Sequence, residues 1–310
     1  MKPGAFFIMA WSVILPSGLM MSYFSRRLGA KLQARVGPNR AGPAGIFQPV
    51  ADCVKLLQKK DGSDEGTLWV ALHTMALYST VAVLPLGSLA LLVDTDMSAF
   101  LPFWAALVLA LGTMLLGLSQ DSAPAWLQGV RAAAQAFAGA FPALVALLCV
   151  GIHAGGFKWS ELAGIQGASP LSWTAFSNPF QFIAFVVFVV SGLVLLNGEV
   201  TFLHSGRRLS LFLFGRFYGF FLWAVITAVL FLGAWILPFK PRSSQTLEIL
   251  ELAYLLVKTF ALMLALTWIS RTNPRVRSDQ ITDFAWKVLS PFALAALIGA
   301  AILAAWGAIL

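Results

Sequence analysis

Ionisable side chains are scarce in this chain, where 11% of residues are charged and 59% are hydrophobic. The densest group runs from Arg26 to Lys60 and holds eight of the 21 Lys and Arg. It includes Arg26, Arg35, Arg40, Asp52 and Lys55. Hydrocarbon cannot hold that charge, so the segment belongs at a membrane surface, where chemistry or a partner would attach. Lys258 is different: it stands near the middle of a long apolar run, too deep for its stem to reach water easily. It reads either as a charge lining a polar cavity or as half of a pair with Glu251 or Glu248 on the same run. Arg131 and Gln135, four residues apart, share a helix face. There they suit hydrogen bonds to the first loop, another subunit or a ligand carbonyl. Arg216 and Lys287 lie close enough to the ends of their runs to snorkel.

Other chemistries lack their residues. His73, His153 and His204 are scattered along the chain and over opposite membrane sides, without metal-ligand spacing. Cys53 and Cys149 are too few and too far apart for a disulfide or an iron–sulfur site, so any redox centre comes from elsewhere. No serine stands beside a histidine and an acid. GPNRAGPAG has glycines, but its prolines make it a rigid turn rather than a phosphate cradle. No residue is assigned a catalytic role, and no metal site is expected. The net charge of +8 does not point to nucleic acid, because the positive residues are sorted along the chain by membrane side.

The elements that position these residues are helices. A soluble domain has about 25% charged residues, and the continuous apolar runs argue against membrane strands. Runs of spanning length fall at roughly 4–24, 68–93, 98–118, 128–152, 180–198, 209–238, 246–270 and 281–309. The expected fold is an all-α polytopic membrane protein of about eight transmembrane helices, forming a single domain over 1–310. Ala5 to Phe24 lacks a small-residue cleavage site and reads as a helix, not a removed signal. After it comes an amphipathic interfacial helix inside a cytoplasmic docking loop at about 25–67. Ile46, Phe47, Val50, Val54 and Leu57 make its apolar face, with Gln48, Asp52, Lys55 and Lys59 opposite. The stretch 154–179 reads as an extracytoplasmic cap. Arg131, Arg207, Arg208, Arg271, Arg275 and Arg277 lie on the same side as the first loop, whereas the other side has only Lys2, Lys158, Lys240 and Arg242. Positive charge collects inside, so the chain is expected in the inner (cytoplasmic) membrane with both termini extracytoplasmic.

Three blocks carry a family resemblance. The first is Arg35-Val36-Gly37-Pro38-Asn39-Arg40-Ala41-Gly42-Pro43, with Gln48-Pro49-Val50-Ala51-Asp52 and Lys55-Leu56. The second is Gly129-Val130-Arg131-Ala132-Ala133-Ala134-Gln135. The third comprises Lys258-Thr259, Trp268, Arg271, Pro274-Arg275, Arg277, Asp279-Gln280 and Trp286-Lys287-Val288-Leu289. In order and spacing the chain resembles subunit 1 of the proton-pumping NADH:quinone oxidoreductase, complex I, a family related to membrane subunits of energy-converting hydrogenases. The resemblance implies a subunit that joins the hydrophilic redox arm to antiporter-like membrane subunits. It also implies that the chain walls part of the quinone chamber and carries part of a proton-coupling path. Quinone would be shared with partner subunits, and the chain would catalyse nothing alone. Arg26, Arg35, Arg40, Asp52 and Lys55 would lie near quinone entry and the docking surface. Arg131, Gln135, Lys258, Arg277 and Asp279 would belong to the polar interior or its cytoplasmic rim.

The departures share a direction. Ser25, Ala140 and Leu203 stand where the family usually has acids, Arg216 reverses a charge, and the acidic loop between the fifth and sixth helices is shortened to Asn197–Gly206. A relay needs groups that hold or release a proton near neutral pH. Ala and Leu cannot titrate, and Arg stays protonated. A second expectation therefore stands beside the first: a scaffold paralogue that anchors a peripheral partner beside antiporter-type subunits, without binding quinone or relaying protons.

Overall fold

A computed structural model describes residues 3–59, 84–87, 94–118, 123–196, 206–238, 244–273 and 276–307. The described residues form helices joined by turns. The long ones are α1 (Pro3–Leu32), α3 (Leu101–Leu118), α4 (Ala123–Ala154), α7 (Pro179–Leu196), α8 (Gly206–Phe231) and α9 (Ser244–Thr272). The last is a broken rod: α10 (Ser278–Phe284), a π-helical turn (Ala285–Leu289) and α11 (Ser290–Gly307). Among the described residues, four helices are long and apolar enough to cross a membrane: Ala123–Ala154, Pro179–Leu196, Leu247–Thr272 and Ser278–Gly307. The chain is thus helical and polytopic.

The expected run 68–93 lies mostly outside the described residues, and the part within them departs from a continuous helix. Residues 84–87 are non-helical, with Leu84 and Leu86 buried. Pro85 pushes Leu84 away from the helical region, and Gly87 adopts φ 146°. Length and apolarity alone do not register that break. Two other boundaries also shift: α4 starts at Ala123 rather than near 128, and α8 stops at Phe231 rather than 238.

Two packed groups make the bundle. In one, α4 contacts α3, α7 and α11; in the other, α8 contacts α1 and α9. The α7–α8 contact joins them. Small residues permit the close approach, as expected where lipid supplies no hydrophobic drive between helices. A Cβ on Gly192 of α7 would collide with the Trp223 indole of α8. That indole stacks on Phe188 with centroids 4.5 Å apart and donates Nε1–H to the Phe188 carbonyl at 3.1 Å. Gln135 of α4 donates to the Val194 carbonyl of α7 at 2.8 Å, and Gln181 of α7 donates to the Cys149 carbonyl of α4 at 3.0 Å. These bonds clamp the α4–α7 pair near both ends.

Local structure continues through the stretch 154–179. It folds as α5 (Trp159–Gly164), a 3-10 turn (Pro170–Ser172) and α6 (Thr174–Ser177). Trp159 is fully buried. Gln166 donates to the Val229 carbonyl at 2.7 Å and the Leu230 carbonyl at 3.2 Å, and its Oε1 accepts from the Gly233 N–H. A single side chain thereby satisfies backbone groups left open where α8 ends. At the edge of this region Lys158 pairs with Asp96 at 2.9 Å and Glu161 at 3.7 Å. The hydrogen bond and charge of Asp96, then the Glu161 charge, raise the Lys158 pKa above its ordinary value.

Candidate functional site

The basic loop is built by the way α1 ends. Arg35 N–H bonds the Ala30 carbonyl at 2.8 Å while Ala34 takes a left-handed conformation, φ 54°. That closes the helix and turns the chain. Gly42 and Gly45 have φ 74° and 78°. A Cβ on Gly45 would run into the Pro38 carbonyl, so the GPNRAGPAG stretch folds back on itself. This is the rigid turn its prolines predict. From it the chain enters α2 (Gln48–Gln58), the expected amphipathic helix.

Three sets of contacts hold loop and α2 on the bundle. Arg26 of α1 forms an ion pair with Asp52 of α2, and Gln48 Nε2 donates to the same carboxylate at 3.1 Å. Tyr23 Oη and Arg27 Nη1 both donate to the Ala44 carbonyl, at 3.0 and 2.7 Å, with the Arg27 guanidinium 5.5 Å from the Tyr23 ring centroid. Cys53 Sγ lies 3.5 Å from Ser210 Oγ of α8. A fourth contact braces α1 itself: Arg271 Nη2, at the end of α9, donates to buried Ser25 Oγ at 2.6 Å.

The sequence-derived residues fall into three places. Arg26 and Asp52 come together across the loop, while Arg35, Arg40 and Lys55 lie exposed on the same loop–helix unit. Arg131 is exposed near the start of α4, whereas Gln135 one turn on is buried and bonds α7 rather than the loop. Arg277 and Asp279 are exposed at the start of α10, which packs on α4. The Arg277 N–H points to Gln280 Oε1 at 3.4 Å. Lys258 stands apart. It is 7% exposed, and its ammonium donates at 3.1 Å to the carbonyl of Ala234, in the turn that follows α8. It lies 4.0 Å from the Tyr254 ring centroid and 4.7 Å from that of Trp173. These π faces and a turn carbonyl hold the charge. Arg271 marks the loop end of α9, about 20 Å along the axis from Lys258. Lys258 and the loop thus belong to opposite halves of the bundle. Lys287 pairs with Asp283 at 2.6 Å on the exposed side of the π turn.

Sequence reasoning missed Tyr23, Arg27, Gln48, Arg271 and Trp173 as partners. The four-residue spacing of Gln48 and Asp52 was a usable local signal. No local signal links Arg271 to Ser25 or Trp173 to Lys258. Among the described residues no three His, Cys, Asp or Glu side chains converge as a metal site would require.

The similarity to known proteins extends over the same elements. Residues 5–301 match the NADH dehydrogenase family. The H-type subunit of NADH-quinone oxidoreductase from Anaeromyxobacter dehalogenans is 30% identical over 90% of this chain and 76% of its own. Its counterpart of the same name in Paraburkholderia phymatum is 31% identical over 90% of this chain and 85% of its own. That of Carboxydothermus hydrogenoformans is 29% identical over 90% and 82%. With the helical bundle and the built loop, this extent of likeness identifies the chain as a member of the NADH dehydrogenase family, the family of complex I subunit 1.

Proposed function

We propose that the chain is the membrane subunit of a complex I-like assembly, linking a peripheral redox arm to antiporter-like membrane subunits. In this reading the loop and α2 are the docking surface, bordering the route by which quinone, the substrate, reaches its chamber. The carrying observation is the division of labour among the loop's charges. Arg26, Arg27 and Asp52 are occupied in fixing the loop to α1, while Arg35, Arg40 and Lys55 are exposed and able to meet a partner. Preorganised cations on a rigid turn suit an acidic protein surface, which they would bind without a large ordering cost. Arg131, Arg277 and Asp279 would extend that rim. Toward quinone, the chain's own residues would supply an apolar flank for the tail and cations beside the headgroup's path.

The second reading, a scaffold that neither binds quinone nor relays protons, draws on different residues. Ala140 is buried on α4 among Ala138, Gly139 and Ala143, where the resemblance calls for an acid. Arg216 is half-buried on α8, where it calls for another. Leu203 lies outside the described residues. The inner-membrane location with both termini extracytoplasmic belongs to both readings.

Purification of the tagged chain in mild detergent decides between them, with partners identified by mass spectrometry and quinone reductase activity assayed on the same material. Redox-arm subunits with inhibitor-sensitive quinone reduction support the first reading. Antiporter-like partners without quinone turnover support the scaffold. Recovery of the chain alone would overturn both.

A further inference from the structure

Down its axis, α2 presents three faces. Pro49 is buried, Cys53 touches Ser210 and Leu56 is half-buried, so this side is spent on α1 and α8. Lys55 and Lys59 are exposed on the polar side. Between them runs an uninterrupted apolar stripe: Phe47 is 57% exposed, Val54 and Leu57 46%, and Ile46 and Val50 42%. No polar side chain interrupts the stripe to give a protein partner the hydrogen bonds that interfaces carry.

The charge from Arg26 to Lys59 is one-sided, with Asp61, Asp64 and Glu65 following in the sequence outside the described residues. Asp52 is the only acid between Arg26 and Lys59, and Arg26 already neutralises it. Lys31, Arg35, Arg40, Lys55 and Lys59 are exposed. A narrow apolar stripe with a basic polar face, seated against α1 and α8, has the chemistry of a helix lying in a lipid leaflet. Several cations within a Debye length select the charge of that leaflet.

We propose that α2 is an anionic-phospholipid sensor: its apolar stripe sinks into the leaflet while Lys55, Lys59 and their basic neighbours engage phosphate-bearing headgroups of net negative charge. Occupancy by anionic lipid then sets how firmly the loop is held in place. The surface follows from α2 alone and holds whether or not the loop borders a quinone path.

The test is hydrogen–deuterium exchange of residues 46–59 in the full-length chain, reconstituted in nanodiscs of phosphatidylcholine alone or of phosphatidylcholine mixed with phosphatidylglycerol. Exchange should slow in the anionic discs by about fivefold for each lysine engaged, and the difference should shrink as salt rises. Lys59→Gln should shrink the lipid-dependent difference by about fivefold while leaving the neutral-disc rate unchanged. Val54→Ser with Leu57→Ser should speed exchange in both discs. Equal exchange of the unmodified chain in the two discs would overturn the proposal. So would slowing that appears only when redox-arm subunits are reconstituted alongside, because the stripe would then belong to a protein interface.

Discussion

Asp52 and Arg35 sit in the same loop–helix unit but answer to different demands. The Asp52 carboxylate takes both Arg26 and Gln48, whereas the fixed contact of Arg35 is its backbone N–H on the Ala30 carbonyl. Asp52→Ala should therefore loosen α2, by about 0.5–1 kcal/mol for a pair this exposed, and weaken assembly as a consequence. Arg35→Ala should leave the isolated chain as stable as before and still weaken assembly with the peripheral arm. Thermal unfolding in detergent, read beside co-purification of partner subunits, separates the two. If both variants assemble and turn over normally, the loop is not a docking surface. Lys258 offers a second residue-scale expectation. Trp173→Leu strips one π face from a buried ammonium and should cost about 2 kcal/mol, seen as a lower unfolding temperature. Lys258→Met in the Trp173→Leu background should recover part of the loss, since the charge that needed the cage is gone. An unchanged unfolding temperature in the single variant would show that Trp173 packs without holding the cation.

Among the elements, the joint between the two helix groups is the α7–α8 crossing. Gly192→Ala must displace the Trp223 indole, breaking its bond to Phe188 and its stacking. Overpacking of this kind costs about 1–3 kcal/mol, and Gly192→Ala should lower thermal stability accordingly. Gln135→Leu removes only one interhelical hydrogen bond of α4 and should cost about 0.6 kcal/mol, near the average for such bonds between membrane helices. A larger effect for Gln135→Leu than for Gly192→Ala would put the critical joint at α4–α7 instead. The π turn at Ala285–Leu289 is a further device at this level. There the Ala285 carbonyl accepts both the Ser290 backbone N–H and, at 2.9 Å, the Ser290 hydroxyl, while Trp286 stacks on Phe141 at 5.2 Å. The wider turn shifts the register between α10 and α11, so that one rod packs on α4 along both halves.

Taking the chain entire, the charge asymmetry makes a test of orientation. With the basic loops inside, a C-terminal alkaline phosphatase fusion should be active and a green fluorescent protein fusion dark, the reverse of fusions placed in the first loop. The opposite pattern would turn every surface assigned here to the other side. Much of the architecture was legible in residue order because it depends on properties of single segments. Apolar runs demand helices where backbone groups cannot reach water, and the proline- and glycine-rich loop demands a turn. The amphipathic spacing from Ile46 to Leu57 was equally local. Folding settles what depends on which segments become neighbours. A helical run does not state its partner, so the pairing of Arg26 with Asp52, the brace from Arg271 to Ser25 and the aromatic cage on Lys258 have no local signature. Nor did apolarity reveal the non-helical stretch at 84–87, because burying Leu84 and Leu86 satisfies the same hydrophobic requirement in a turn as in a helix. Residue order alone makes this chain a helical membrane protein with a basic loop at its surface. Which of that loop's charges are spent on the protein and which remain for a partner emerges only in the folded chain, because it depends on distances between side chains that the backbone brings together.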